Sequence, residues 1–344
     1  MKKTKLLFGF LISACISVSL VQPSLAASEK SNTQLAEQEL AVRWLQKMAR
    51  AAKTENYQGR SIFHNGTQMV SLKIIHAMVD GEPWDRVVHL SGEPAEILRK
   101  GNKISCLHPA STVELSMVEL SASMKTVVTS EVPLTTAFNG DALVMSKQYQ
   151  LRIGREGRVA GRLVQVINVI PIDRARYGYL LAIDKETGLL LKTVMLNGKG
   201  KALEIFEFVD IAIGGVVSKD DFSPGEGVIW LASGKPKHNP VEAVSSDSWR
   251  AEWLPEGFNL AENEVRHIDG VNVNAQVYSD GLAAFTIFMG KYDPINDVEG
   301  SKQRGATIAL SRRLPRPNSN YFVTVVGEVP KETALLVAAS VTKD

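Results

Sequence analysis

The chain has 344 residues, of which 44% are hydrophobic and 22% charged, and its 39 Lys and Arg stand against 37 Asp and Glu. A formal net charge of +2 leaves no global basic field to argue for nucleic-acid binding. The length suits two ordinary domains rather than one large one.

Lys2, Lys3 and Lys5 precede an apolar run over residues 6–21, and Pro23-Ser24-Leu25-Ala26 follows with a helix breaker and small residues. This is the anatomy of a secretory signal peptide cleaved between Ala26 and Ala27. The run is shorter than the roughly 20 apolar residues that a membrane-spanning helix needs. A rival cut before Cys15, in Ile12-Ser13-Ala14-Cys15, would leave a lipid-anchored protein. It would also leave residues 16–21 as a greasy tail where a polar tether is usual, so the Ala26 cut is favoured. Removing the three lysines and no acids turns the net charge from +2 to −1. A soluble exported product is expected, with one cysteine, Cys106. In "KISCL" that cysteine shares a strand face with Ile104 and reads as buried filler.

Leu40, Trp44, Met48 and Ala52 recur every four residues and predict an amphipathic helix, with Ser31 and Gln34 as a capping box at its start. Across residues 57–107 the period changes to alternation, broken at Asn65-Gly66, Asp80-Gly81, Gly92-Glu93-Pro94 and Gly101-Asn102, which predicts an antiparallel meander. Residues 111–140 read as mixed loop and helix. Strand signals resume in "QYQLRI", "RLVQVINVI", "YGYLLAID", "LLLKTVML" and "KALEIFEFVDIAI". One helix and eight to ten strands predict a mainly β, α+β first domain: a curved antiparallel sheet wrapped on a helix, an open half-barrel over residues 27–218. Residues 219–248 are rich in Gly, Pro, Ser and Asp and read as a linker. A smaller α+β domain then fills residues 249–344, with four strands and a closing helix that starts at Pro330.

The chain carries no phosphate loop, no nucleophile elbow and no His-Glu-x-x-His helix. Its six histidines lack paired metal-ligand spacing, so neither a metal nor a cofactor nor a catalytic group is expected. Arg312, Arg313 and Arg316 suit carboxylates or phosphates, or else protect a sheet edge with charge. Phe63, Met69, Trp84 and Leu90, with the Trp44 stripe, form either a packed core or the wall of an apolar cavity of the kind that takes acyl chains.

Six phrases together resemble the RseB or MucB family, periplasmic negative regulators of the sigma-E envelope-stress response: "NYQGRSIFHNG", "GEPAEILRKGN", "LLAIDKETGLLLKT", "WLPEGF", "YSDGLAAFTIFM" and "RGATIALSRR". They fall in the family's order across both expected domains. The resemblance implies a non-enzymatic sensor whose first domain is similar to the half-barrel of the lipoprotein carriers LolA and LolB. It implies binding to the periplasmic part of a membrane-spanning anti-sigma factor, protection of that factor from proteolysis, and release by acyl chains of mislocalised lipopolysaccharide or lipoprotein. On this reading Trp44, Phe63, Leu72, Trp84 and Leu90 line the lipid-sensing side, and Tyr278, Phe285, Arg312 and Arg313 belong to the partner-binding side. The linker would serve as hinge. A lipoprotein carrier remains the alternative, and self-association is left open.

Overall fold

The computed structural model describes residues 25–92, 94–101, 103–109, 145–223, 228–231, 249–268, 271–295, 297–315 and 320–343. The expected leader up to residue 24, residues 111–140, Arg316 and the Cys106 side chain lie outside the described residues. None of the described helices is long and apolar enough to cross a membrane.

Helix α1 runs Leu25–Thr54, so it begins upstream of Ser31, and the Ser31 and Gln34 pair lies inside it rather than at its start. Ala26, Ala27, Glu29 and Lys30 carry no helix-breaking feature. The buried face also differs from the expected stripe. Ala41, Val42, Leu45, Met48 and Ala51 are buried, Trp44 is half-buried, and Leu40 is exposed. A strict four-residue repeat drifts by roughly 40° per step on a helix of 3.6 residues per turn, so Leu40 and Ala52 cannot share one narrow face. Two side chains fasten α1 to the sheet. Glu37 Oε1 accepts the Ile153 N–H at 3.1 Å, and Lys47 Nζ donates to the carbonyls of Lys185 and Glu186 at 2.6 and 2.9 Å.

The first sheet is antiparallel throughout. Its strands are β1 (Tyr57–His64), β2 (Met69–Val79), β3 (Glu82–His89), β4 (Glu96–Lys100), β5 (Lys103–Pro109), β6 (Tyr149–Val159), β7 (Arg162–Pro171), β8 (Gly178–Asp184), β9 (Leu190–Leu196), β10 (Ala202–Ile213) and β11 (Val228–Leu231). They lie in the order β11-β5-β4-β3-β2-β1-β10-β9-β8-β7-β6, an open sheet whose two ends stay unpaired with each other. Asp80 and Gly81, both with positive φ, make the two-residue turn of the β2–β3 hairpin that Asp-Gly signals. Leu151, Ile167, Val169, Tyr179, Leu181 and Met195 pack with Leu45 and Met48 of α1, so the helix sits against the β6 to β9 part of the sheet.

Part of the expected linker belongs to this sheet. Ser218 caps a short 3-10 turn, Lys219–Phe222, through a reciprocal capping box with Asp221. Phe222 is fully buried against Ile75, Ala77, Val79 and Leu98, and β11 pairs with β5. The second apolar face of the meander therefore finds its cover in residues 217–222.

The second domain comprises β12 (Trp249–Ala251), β13 (Asn259–Ile268), β14 (Val271–Ser279), β15 (Ala284–Lys291), β16 (Gly300–Arg304), β17 (Thr307–Arg313), β18 (Tyr321–Gly327), helix α2 (Lys331–Ser340) and β19 (Val341–Lys343). Six strands form a sheet in the order β13-β14-β15-β18-β17-β16, while β12 pairs with β19. Thr333 aside, α2 buries Ala334, Val337 and Ala338 on a core of Phe285, Ile287, Ile308, Leu310, Val323 and Val325. Pro330 stands just outside α2 as its N-cap, one position earlier than expected.

Candidate functional site: the half-barrel face and the domain junction

Pairing on β1 to β4 separates the residues expected on the lipid-sensing side. Phe63 and Leu72 are buried with Tyr57, Ile74, Val87, Ile97, Phe206 and Phe208. Trp84 lies on the other face, because it pairs with Ala77 while Val87 pairs with Ile74, and strand side chains alternate. Its ring meets Phe222 edge-to-face at 5.5 Å, and Lys100 Nζ lies 4.5 Å from its centroid. Leu90, at the end of β3, is 49% exposed. Trp44 packs from α1 on the cluster under the helix. Of the five residues, only Phe63 and Leu72 share one cluster.

The same face of the meander holds a charged cluster that sequence spacing did not reveal. His76 Nδ1 lies 2.7 Å from Asp85 Oδ1, Arg99 pairs with the other Asp85 oxygen, and the His76 ring stacks on Tyr57 at 5.0 Å. A His–Asp pair invites a catalytic reading. Here both side chains are enclosed, and the nine-residue separation is simply the cross-strand register of a hairpin, His76 opposite Asp85. Among the described residues no group of three or more His, Cys, Asp or Glu could hold a metal ion.

Where the two domains meet, many of the contacts are polar, and the central ones are enclosed. Arg176, in the turn between β7 and β8, reaches into the second domain: Nη1 donates to Asp280 Oδ2 at 2.6 Å, and Nη2 donates to the Glu256 carbonyl at 2.5 Å. Neither side chain of the Arg176–Asp280 pair has any exposed surface. Asp173 holds the guanidinium from behind, at 3.1 and 2.9 Å. The rings of Tyr149 and Phe258 lie 5.5 and 5.1 Å from it, one from each domain. Tyr149 Oη donates to Asp280 Oδ2 at 2.9 Å, and burial, followed by the charge of Asp280, pushes the phenol well above its usual pKa. Burial alone would lower the pKa of Arg176, but its bonds to Asp173 and the neighbouring Tyr149 and Asp280 raise it, so the cation is secure.

A second contact lies beside the first. The β16–β17 turn, Gly305 and Ala306, enters the first domain, where Ala306 is buried in the cluster under α1. Ala306 N–H donates to Glu204 Oε1 at 3.0 Å. Gly305 has φ +58°, and a Cβ there would stand 2.5 Å from Glu204 Oε1 and 2.9 Å from the Asn65 carbonyl, so only glycine fits. Tyr177 Oη donates to the Val329 carbonyl at 3.2 Å, and Thr333 Oγ1 to the Ala175 carbonyl at 2.9 Å. Glu328 faces this contact. It is only half-buried by surface area yet hemmed in by protein, and burial, aided by the charge of Glu204, pushes its carboxyl up to about 8. Sequence reasoning missed Arg176, Asp280 and Glu204, since partners a hundred residues apart leave no local spacing to read.

The residues expected on the partner-binding side are also divided. Tyr278 and Phe285 are core, stacked on each other at 5.5 Å beneath α2. Arg312 and Arg313 are half-buried and adjacent on β17, so they point to opposite faces of the sheet; Arg313 lies 4.3 Å from the Tyr292 ring.

Two family models match the chain: the MucB/RseB N-terminal domain over residues 40–225 and the MucB/RseB C-terminal domain over residues 243–342. The chain is 31% identical over 301 residues to the sigma factor AlgU regulatory protein MucB of Pseudomonas aeruginosa, covering 87% of this chain and 89% of that one. It is 28% identical over 330 residues to the sigma-E factor regulatory protein RseB of Escherichia coli K12, covering 94% and 96%. The crystal structure of MucB in complex with MucA(peri) superposes with a TM-score of 0.68 at 29% identity, over 88% of this chain and 99% of that one. The complex structure of Pseudomonas aeruginosa MucA/MucB gives 0.70 with the same coverage. With both of its domains matched in order, the chain belongs to the MucB/RseB family.

Proposed function

We propose that this protein is a periplasmic stress sensor, freed from its leader between Ala26 and Ala27. It binds the periplasmic region of a membrane-spanning anti-sigma factor and shields it from regulated proteolysis. Acyl chains of mislocalised lipopolysaccharide or lipoprotein release it. The observation that carries the reading is the near full-length likeness to MucB, whose structure has been solved in complex with MucA(peri).

The junction supports the release step. Polar interfaces between domains can be rehydrated when they part, and relative domain motion is their ordinary behaviour. A buried ion pair adds little net stability but fixes one orientation, because any other leaves charges unpaired. A ligand that fits one arrangement of the domains and a partner that fits another are then linked, each weakening the other by the same factor. Arg312 and Arg313 remain on the proposed partner side, whereas Tyr278 and Phe285 support that side from within its core. A carrier would need only the first domain; the buried junction favours the regulator. Titrating the mature protein with the periplasmic domain of the anti-sigma factor tests the reading directly. Saturable one-to-one binding, weakened in the Arg312→Ala, Arg313→Ala double variant, is expected, and no binding would overturn it.

A further inference from the structure

Two carboxyl groups meet at the domain junction, one from each domain. Glu204, on β10, accepts the Ala306 N–H at 3.0 Å. Glu328 follows β18 and precedes Val329, whose carbonyl takes the Tyr177 hydroxyl at 3.2 Å. The charge of Glu204 reaches Glu328, and both carboxyls act on the hydroxyls of Tyr177 and Tyr179. No ion pair among the described residues holds either of them.

The other groups packed around the pair do not neutralise it. Arg304, on β16, favours the charge of Glu204 but spends its hydrogen bond on Gln68 of the first domain. Glu332, in the first turn of α2, adds negative charge beside Tyr177. Asp280 is already held by Arg176 and Tyr149. Burial pushes Tyr177 up to about 12 and Tyr179 well above its usual value, so both keep their protons in mild alkali.

Two like charges in one enclosed site are unfavourable together, so the pair retains a proton. Glu204 has an N–H donor and Arg304 to support its charge, and Glu328 has neither, so the proton stays on Glu328. Its carboxyl is raised to about 8 in the closed junction and would return to near 4.3 once water reached it. Between those values the closed form holds one proton more than the open form. Opening then becomes about tenfold easier with each pH unit and levels off above about 8.

We propose that Glu328 and Glu204 form a pH-sensitive latch between the two domains, closed in acid by the proton on Glu328 and loosened in mild alkali by the second negative charge. The inference needs only that the domains part, so it stands or falls independently of any lipid acting on the first domain.

Amide hydrogen exchange of the mature protein reads the opening at its centre, because the Ala306 N–H is freed when the β16–β17 turn leaves the first domain. After correction for the intrinsic pH dependence of exchange, its protection should fall about fiftyfold from pH 6 to pH 8. It should also stay below the protection of the β15 amides, which lie in mid-sheet between β14 and β18 and open with the whole domain. Glu328→Gln keeps the shape of the protonated carboxyl but cannot ionise, so its profile should flatten. Protection of Ala306 that does not change with pH in the natural protein would overturn the latch by itself. So would an unchanged slope in Glu328→Gln, or equal protection of Ala306 and β15, which would mean that the junction parts only when the whole fold does.

Discussion

Replacing Arg176 with methionine is the sharpest perturbation of the junction. The side chain keeps much of its length but withdraws the guanidinium that reaches Asp280 Oδ2 at 2.6 Å. Asp280 would keep the Tyr149 hydroxyl and the N–H groups of Leu282 and Ala283, at 2.9, 2.9 and 2.8 Å, but its charge would stay in a site with no exposed surface. Breaking a buried pair in this way costs about 3–5 kcal/mol, whereas replacing both charges is far milder. Urea unfolding of Arg176→Met, Asp280→Asn and the double variant forms a complete cycle. The single arginine variant should lose about 3 kcal/mol or more, and the double variant should lose clearly less than the sum of the singles. A loss under about 1 kcal/mol, as for an exposed pair, or strictly additive losses would refute the claim that this pair fixes the domains.

Glu328 supplies a pH dependence. With its carboxyl raised to about 8 in the fold and near 4.3 in the unfolded chain, the folded state holds a proton that the unfolded state releases between those values. Its contribution is therefore fully present in acid and is lost as pH rises through about 8. Glu328→Gln should lose less stability between pH 6 and 9 in denaturation midpoints, and parallel profiles would contradict the assignment. Gly305→Ala forces a Cβ onto Glu204 at positive φ and should cost about 1–3 kcal/mol in the same assay. Phe222→Ala empties a fully buried site beside Trp84, with an expected loss of about 3–5 kcal/mol. A loss near zero would mean that residues 219–222 are linker after all.

How far the sequence could be read follows from where each element gets its order. The meander, the β6 to β10 run and the α2 core strands were legible because alternation and turn residues are local signals. Strands β13 and β16 were not: "NLAENEVRHI" and "GSKQR" are polar because they are the two edges of the second sheet, where charge keeps other chains from pairing. The α1 stripe was right at Met48 and wrong at its ends, with Leu40 exposed, since counting in fours approximates a 3.6-residue period only over a short span. Residues 219–222 looked like linker because a capped turn is rich in Ser and Asp, while the one residue that anchors it, Phe222, gives no periodic signal. The site was least legible. Arg176 sits in "DRARYG" and Asp280 in "YSDGLA", each a plausible turn residue, and only the fold makes them partners.

The central claim is that lipid in the first domain loosens the grip of the second on its partner through the shared junction. The direct measurement is the affinity of the mature protein for the anti-sigma periplasmic domain, with and without saturating acyl ligand, paired with the ligand's own affinity with and without that domain. Both should weaken by the same factor, at least about fivefold, as a coupling of roughly 1 kcal/mol or more requires. Two affinities that stay unchanged when the other ligand is bound would contradict the account.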